Sequence, residues 1–226
     1  MQFQITIVGL GTIGSSLGLA LKKASTDLYL VGHDREPAVA SAAHKAGAVD
    51  RTHWNLPAAC EAADLVILAL PLGAIRETLA AVGPALKAGC LVTDTASVKA
   101  PVLAWARESL PAHVAFVGGD PLGARGRATI PSADYFRDTA YALCPDAATP
   151  ADAIERAADL VQAVGARPRF LEVTEHDSLA AALDQLPALL GLAALRAVSA
   201  SPAWPEVVAV GGGRFQQLLL AQGDPS

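Results

Sequence analysis

The 226-residue sequence has little charge, few aromatic residues and few cysteines. Charged residues make up 17% of it and aromatic residues 5%, and the net charge of −5 includes no run of Lys or Arg. This balance argues against binding to nucleic acid or to an anionic membrane, because both need a basic surface. A small anionic ligand remains compatible with it, since a pocket can be locally positive in an acidic protein.

The three cysteines, Cys60, Cys90 and Cys144, are widely spaced, and none belongs to a CxxC or Cys/His pattern. An odd number of such cysteines favours free, buried thiols in a reducing compartment over disulfides. The same spacing offers no metal-ligand pattern, so no metal site is expected.

The N-terminus has no basic segment followed by an apolar stretch, since Met1–Gln4 lead directly into a predicted strand. No secretory signal is therefore expected, and a cytoplasmic location is predicted. The most apolar segment is Leu179–Val198. Because this segment contains Asp184, Pro187 and Arg196, it is predicted to be a core helix rather than a membrane span.

Short apolar runs alternate with Ala- and Leu-rich helical segments along most of the sequence. The predicted strands are Phe3–Val8, Leu28–Gly32, Leu65–Leu70, Cys90–Thr93, Val114–Val117, Tyr141–Cys144 and Arg167–Val173. The predicted helices are Thr12–Ala24, Pro37–Ala46, Ala74–Val82, Val98–Ser109 and Ala151–Val164. The alternation indicates an α/β fold with a doubly wound, mostly parallel sheet. Beyond residue 172 the pattern is helical only, which predicts a small all-helical domain.

The segment GLGTIG at residues 9–14 follows the first predicted strand and opens the first predicted helix. In this context Gly9 permits a tight turn, Gly11 lets the backbone approach a pyrophosphate, and Gly14 lets the helix pack closely on the strand. The helix N-terminus adds N–H groups that favour phosphate. A Rossmann-type dinucleotide site is therefore predicted, with cofactor-binding residues Gly9, Gly11, Thr12, Ile13 and Gly14.

Asp34 ends the second predicted strand, twenty residues after Gly14, where a carboxylate accepts hydrogen bonds from the adenosine ribose. A 2′-phosphate there would meet like charge, so NAD is predicted over NADP, although the adjacent Arg35 could turn toward such a phosphate. Leu70 and Pro71, at the end of the third predicted strand, are also expected at the cofactor. The alternative is an ordinary glycine turn with a solvated Asp34.

Several motifs, taken in order, resemble the prephenate/arogenate dehydrogenases of tyrosine biosynthesis. They are Gly9–Leu21, Ala63–Pro71, Asp94–Lys99, Gly118–Gly123, Asp134–Phe136, Tyr141–Pro145, Glu175–Asp177 and Gly211–Gly213. The resemblance implies an oxidative decarboxylation, in which hydride leaves ring carbon C4 for the nicotinamide and the ring carboxylate leaves as carbon dioxide. It also implies a dinucleotide-binding domain at residues 1–171 and a helical substrate and dimerisation domain at residues 172–226, with more of that domain expected beyond Ser226. The apolar Leu186–Leu195 stretch favours a homodimer, because it would otherwise be exposed.

The resemblance breaks at the polar groups that touch substrate in the family. The family's His that binds the C4 hydroxyl corresponds to Asp120, and its His–Leu–Pro–His segment appears as Gln185–Ala188. The family's carboxylate-binding Arg falls near Leu219. These departures imply that prephenate is a poor substrate and that a substrate with an amino group suits the site better.

Three candidate catalytic residues follow. Ser97 is placed near nicotinamide and substrate by the resemblance, with a helix N-cap as an alternative or additional role. Lys99 could supply positive charge to an anionic substrate or be a solvated first-turn lysine. Asp120 could act as a base, bind a cationic amino group, or cap the turn before Pro121.

Candidate substrate-binding residues are Arg125, Arg127, His176 and Gln185. The two arginines could replace the lost carboxylate contact or be solvated. His176 could contact substrate or be a helix-entry residue held by neighbouring carboxylates. The three tryptophans share no spacing and are predicted to serve packing.

The predicted function is an NAD-dependent oxidoreductase of the prephenate/arogenate dehydrogenase type. The alternatives are a dehydrogenase or imine reductase of the β-hydroxyacid type acting on another small substrate, and a catalytically silent NAD-binding regulatory protein. The expected partners are a small anionic or zwitterionic substrate and a second copy of the chain through the helical domain, without nucleic acid or membrane.

Overall fold

The computed structural model describes residues 2–124 and 129–211. In these parts of the chain eight strands form one sheet in the order β3-β2-β1-β4-β5-β6-β7-β8. The strands are β1 Phe3–Val8, β2 Leu28–His33, β3 Arg51–Thr52, β4 Leu65–Leu68, β5 Leu91–Asp94, β6 Ala115–Asp120, β7 Ala140–Pro145 and β8 Arg167–Phe170. Neighbouring strands are parallel except β6 and β7. The predicted Rossmann-type, mostly parallel sheet is confirmed.

Helices flank both faces of this sheet. They are α1 Thr12–Ala24, α2 Pro37–Lys45, α3 Leu56–Cys60, α4 Leu72–Val82, α5 Ala100–Ser109 and α6 Ala151–Ala163. Three further helices follow later in the chain: α7 Val173–Ala180, α8 Leu186–Ser199 and α9 Trp204–Val210. The apolar strand β4 divides its side chains between two hydrophobic clusters, Leu65 and Ile67 in one and Val66 and Leu68 in the other. A strand buried on both faces needs this continuous apolar character.

Two short elements, β3 and α3, were not predicted. A two-residue strand carries no periodic pattern, and α3 spans five residues. Asn55 begins α3, because its side-chain oxygen accepts the N–H of Ala58 at 3.0 Å. Strand β3 pairs with β2 and forms the edge of the sheet.

The chain divides into two compact units, residues 1–177 and 178–226. Helix α7 runs across this division. The domain boundary at residue 172 stays a prediction, because compact units are defined by internal contacts rather than by independent folding.

Helix α8 follows a π-helical turn, Ala181–Gln185, and has Pro187 in its first turn, where a missing N–H costs least. The predicted core helix is wrong within this chain, because its large side chains are exposed. They include Leu179, Leu183, Leu186, Leu189, Leu190 and Leu192. By length and composition, Val173–Ser199 could also cross a membrane, and only 6% of its apolar window is buried. Helices that pack against another protein chain have the same properties.

All three cysteines are free and buried, as predicted. Burial raises the pKa of the Cys60 and Cys144 thiols to about 12 and that of Cys90 to about 11. The thiols therefore stay protonated at neutral pH and serve as small core residues.

Candidate active site

The three glycines in the turn between β1 and α1 differ in how much room the structure leaves for a side chain. Gly9 has φ of +90°, and a Cβ there would lie 2.2 Å from the carbonyl oxygen of Ala69. A Cβ on Gly14 would lie 1.9 Å from the carbonyl oxygen of Gly9. A Cβ on Gly11 would meet no atom of the described residues within 4 Å. Contacts within the fold therefore explain Gly9 and Gly14, whereas no part of the chain that the structure describes fills the space beside Gly11.

Helix α1 begins directly at this turn, at Thr12, and among the described residues no side chain caps its first N–H groups. Ile13 lies in the same first turn. Uncapped N–H groups and the positive end of the helix dipole form a favourable phosphate site. The geometry of the turn thus fits the pyrophosphate of a dinucleotide.

Asp34 is joined to the glycine turn by a hydrogen bond. Its Oδ2 accepts the N–H of Leu10 at 2.8 Å, and its Oδ1 accepts the N–H of Glu36 at 2.9 Å. Each carboxylate oxygen can accept a further bond, so both remain able to bind ribose hydroxyls. The side chain of Arg35 is 90% exposed and lies 3.9 Å from the Glu36 carboxylate.

Two other predicted cofactor residues follow β4. The side chain of Leu70 lies against the glycine turn, since its Cδ2 would be 2.9 Å from a Cβ on Gly9. Pro71 is exposed at the start of α4. The structure therefore brings the turn, Asp34 and Leu70 to the carboxyl edge of the sheet, where ligands bind in open α/β sheets.

A buried ion pair holds the segment after β5. The ammonium group of Lys99 contacts the carboxylate of Asp94 and donates to the carbonyl oxygen of Gly119 at 2.7 Å. Asp94 also accepts the N–H groups of Ala96 at 2.9 Å and Gly119 at 3.0 Å. Both charged side chains are fully buried. The alternative of a solvated Lys99 is therefore wrong, and its charge is opposed by Asp94.

Ser97 is half-buried in the bend between β5 and α5. Its predicted alternative as an N-cap is wrong, because α5 begins at Ala100 and Lys99 holds the N-cap position. The two oxygens of Asp177 accept the N–H of Lys99 at 2.7 Å and that of Ala100 at 2.9 Å. The Ser97 hydroxyl is thus not needed for capping, and its catalytic role stays a prediction.

His176 lies between two carboxylates. Its Nδ1 is 2.8 Å from Oδ1 of Asp177, and its Nε2 is 3.1 Å from Oδ2 of Asp120, the last residue of β6. Both contacts are satisfied by donation only when both ring nitrogens carry hydrogen. Burial favours the neutral ring, but the hydrogen bonds from Asp120 and Asp177 outweigh it and raise the pKa of His176. The predicted role as a helix-entry residue held by carboxylates is confirmed.

Burial also restricts what Asp120 and His176 can do. Both side chains have zero exposure. Direct contact of either with substrate stays a prediction. Gln185 is exposed in the second unit, and its substrate contact is a prediction as well. Arg125, Arg127 and Leu219 lie outside the described residues.

Sequence reasoning missed the parts played by Asp94 and Asp177, although both stand in motifs singled out from the sequence. The available signal was an acidic residue ending an apolar strand and a carboxylate beside a helix-entry histidine. Burial raises the pKa of Asp177, but the N–H groups of Lys99 and Ala100 and the His176 ring lower it by more, so the net pKa is below its ordinary value.

Comparison with known proteins places the chain in one family. Residues 17–169 match the nucleotide-binding domain of prephenate dehydrogenase. Over 197 residues the chain is 33% identical to a cyclohexadienyl dehydrogenase of Zymomonas mobilis, covering 86% of this chain and 67% of that protein. It is 30% identical over 191 residues to a prephenate dehydrogenase of Lactococcus lactis, covering 83% of this chain and 51% of that protein. The chain thus spans from about half to two thirds of these relatives.

Solved structures share the fold. Prephenate dehydrogenase from A. aeolicus, in complex with hydroxyphenyl propionate and NAD+, superposes with a TM-score of 0.89 at 22% identity, covering 100% of this chain and 80% of that one. Synechocystis arogenate dehydrogenase gives 0.78 at 24% identity, covering 99% and 80%. These structures show the shared fold, and the domain match over residues 17–169 with the 33% identity to the Zymomonas mobilis enzyme shows that the chain belongs to the prephenate dehydrogenase family.

Proposed function

We propose that this chain is an NAD-dependent dehydrogenase that oxidises a small cyclohexadienyl acid of the prephenate or arogenate type. The observation that carries the proposal is the glycine turn with open space at Gly11, joined by a 2.8 Å hydrogen bond to Asp34, in a member of this family. The chain spans only part of its relatives, so the activity of the whole protein is part of the proposal.

The residues present fit a bound dinucleotide. The N–H groups at the start of α1 would hold the pyrophosphate, and the carboxylate of Asp34 would accept hydrogen bonds from the adenosine ribose. The negative charge of Asp34 favours NAD over NADP. When bound, NAD would supply the hydride acceptor.

The chain's own contribution to the reaction lies in the segment after β5 and the end of β6. The Ser97 hydroxyl is the proposed contact to the reacting hydroxyl of the substrate, because it is half-buried at the carboxyl edge of the sheet and is not used as a helix cap. Lys99 and Asp120 are fully buried and internally bonded. We assign them the positioning of the Ser97 segment and of the end of β6.

The substrate's carboxylate needs a positive partner, which the described site does not offer at its surface since Lys99 is paired with Asp94. Arg125 and Arg127 are the candidates that could replace this contact, and the comparison of prephenate with arogenate described in the Discussion tests whether they do. Gln185 and His176 remain proposed substrate-side residues. A substrate with an ammonium group would also suit the net negative charge of this cluster, in which the carboxylates of Asp94, Asp120 and Asp177 outnumber the two cations, Lys99 and His176.

The exposed apolar face of α8 supports a second proposal about assembly. Leu186, Leu189, Leu190 and Leu192 are each more than half exposed. A contiguous apolar face of this kind is costly in water, and a second copy of the chain would cover it. We therefore propose a homodimer through the helical unit, in the cytoplasm, without a membrane partner. A monomer in analytical ultracentrifugation, or an unchanged mass after Leu190→Asp, would overturn this assembly.

The experiment for the activity is a steady-state assay of the purified chain with NAD and either prephenate or arogenate, following formation of NADH and release of carbon dioxide. Stoichiometric NADH and carbon dioxide are the expected result. Binding of NAD by calorimetry without turnover of either acid would overturn the dehydrogenase and support the regulatory alternative. Ser97→Ala should lower kcat while leaving NAD affinity within about threefold of wild type.

A further inference from the structure

Trp54 is the most exposed large apolar side chain among the described residues, at 86% of its surface. The predicted packing role is therefore wrong for this residue. Tryptophan is highly buried on average, so an indole held in water at one end of a sheet is unusual. The position of Trp54 near the proposed dinucleotide site suggests that its exposed indole contacts a ligand.

The pairing of β2 with β3 brings Trp54 level with Asp34. The two strands are parallel and pair Gly32 with Thr52, an offset of twenty residues. The alignment continues beyond the strands, since the N–H of His53 donates to the carbonyl oxygen of Gly32 at 2.9 Å. The same offset relates Asp34 to Trp54. Neighbouring strands lie about 4.8 Å apart, so we expect Trp54, two residues after β3, to lie about one strand spacing beyond the proposed ribose ligand.

Polar contacts of His53 and Asn55, the residues on either side of Trp54, hold its loop. Nδ1 of His33 lies 2.9 Å from the carbonyl oxygen of His53. The N–H of Asn55 donates to Nδ1 of His53 at 3.1 Å, and Asn55 in turn caps α3. The rings of His53 and Trp54 are nearly parallel, with 16° between their planes and 6.4 Å between their centres. The indole is thus held in place while most of its surface stays open.

We propose that Trp54 is a stacking surface for the adenine ring of the dinucleotide. The inference rests on the proposed function, because Asp34 must hold the ribose to which that ring is attached. Along the carboxyl edge of the sheet the order is then phosphate turn after β1, ribose carboxylate after β2 and indole after β3, which is the order of the groups in an adenosine diphosphate. Stacking of a base on an aromatic side chain is effective even in partly wet sites.

The test is calorimetric titration of wild type, Trp54→Ala and Trp54→Phe with NAD, ADP-ribose and nicotinamide mononucleotide. Trp54→Ala should weaken NAD and ADP-ribose by about tenfold, whereas Trp54→Phe should stay within about threefold of wild type. Affinity for the mononucleotide, which lacks adenine, should not change. ADP-ribose should quench tryptophan fluorescence in wild type and in the control Trp105→Phe, and this quenching should be lost in Trp54→Phe.

Wild-type affinity for NAD and ADP-ribose in Trp54→Ala would overturn the stacking role while leaving the proposed function intact. Equal weakening of the mononucleotide would also overturn it, since the effect would then be general. Failure of the wild-type chain to bind NAD would instead overturn the proposed function and, with it, this inference.

Discussion

The imidazole of His176 and the carboxylate of Asp120 form a fully buried pair, with Nε2 3.1 Å from Oδ2, although the two residues are 56 positions apart in the sequence. The pair joins the end of β6 to the start of α7. Asp177, which follows His176 in α7, accepts the N–H groups of Lys99 and Ala100 at the start of α5. The elements β6, α5 and α7 therefore meet at one cluster of charged side chains.

Removing one partner of this pair should destabilise the protein strongly. Asp120→Ala leaves a buried imidazolium with one carboxylate fewer, and the free energy of unfolding should fall by about 3–5 kcal/mol. The matched control is Glu108→Ala, which breaks the exposed 3.1 Å ion pair with Arg76 and should cost less than about 1 kcal/mol. Urea denaturation measures both. If Asp120→Ala and Glu108→Ala lowered the free energy of unfolding by equally small amounts, Asp120 and His176 would not be paired in solution.

The raised pKa of His176 gives the stability a definite pH dependence. The folded protein holds the imidazole proton above the ordinary pKa of 6.5, where the unfolded chain releases it. The contribution is therefore fully present below that value and is lost as the pH rises through the folded-state pKa. Denaturation of wild type between about pH 5.5 and 9 should show this loss, and His176→Gln should not.

An NMR titration of the His176 ring tests the same prediction in the folded protein without a variant. The ring should titrate above its ordinary value. A midpoint at or below that value would contradict the pairing of His176 with two carboxylates.

Gly11 and Gly14 offer a matched pair of substitutions that separates binding from folding. Gly11→Val should abolish NAD binding and change the free energy of unfolding by about 1 kcal/mol or less, because its Cβ meets no described residue within 4 Å. Gly14→Val should destabilise the fold by at least about 3 kcal/mol, because its Cβ would lie 1.9 Å from the carbonyl oxygen of Gly9. Thermal unfolding and calorimetry give the two readouts. Wild-type NAD affinity in Gly11→Val would remove the case for a dinucleotide at this turn.

The preference for NAD over NADP should depend on the charge of Asp34. A 2′-phosphate beside this carboxylate is expected to cost about 1–3 kcal/mol. Asp34→Asn keeps an oxygen that can accept the N–H of Leu10 and should narrow the difference between the two cofactors. Arg35→Ala is the control, since that side chain is 90% exposed and should leave NAD affinity unchanged. Tighter binding of NADP by the wild type would show that Arg35, not Asp34, governs the site.

Arogenate should be turned over faster than prephenate. By the correspondence predicted from the sequence, Asp120 stands where the family has a histidine and the family's carboxylate-binding arginine is missing. Loss of a charge-assisted partner for a carboxylate costs about 1.5–3 kcal/mol, or roughly tenfold to a hundredfold in kcat/KM. The ammonium group of arogenate lessens the repulsion from the buried carboxylates. Comparison of the two acids under the same NAD concentration decides the matter. Prephenate turnover near about 10 s⁻¹, a typical enzyme rate, would show that Arg125 or Arg127 has replaced the missing contact.

The sequence by itself determined seven of the eight described strands, the glycine turn and the position of Asp34. These depend on local signals: apolar strands such as Leu65–Leu68, a helix that starts at Thr12, and a carboxylate at a fixed spacing from the turn. The fold of the first 170 residues follows from them, because right-handed crossovers leave few other arrangements. The element bounds differ from the predicted ones by a few residues, for example at the end of β6, which extends to Asp120.

Only the tertiary structure decided the burial and partners of Lys99, Asp120 and His176 and the exposure of Trp54. Lys99 is a typical surface residue by type, and its burial depends on Asp94 and the Gly119 carbonyl oxygen meeting it across two strands. The partners of His176 come from β6 and from its own helix, and the exposure of Trp54 depends on a two-residue edge strand that has no sequence pattern. Burial and pKa are set by contacts between residues distant in sequence, and such contacts exist only once the chain has folded.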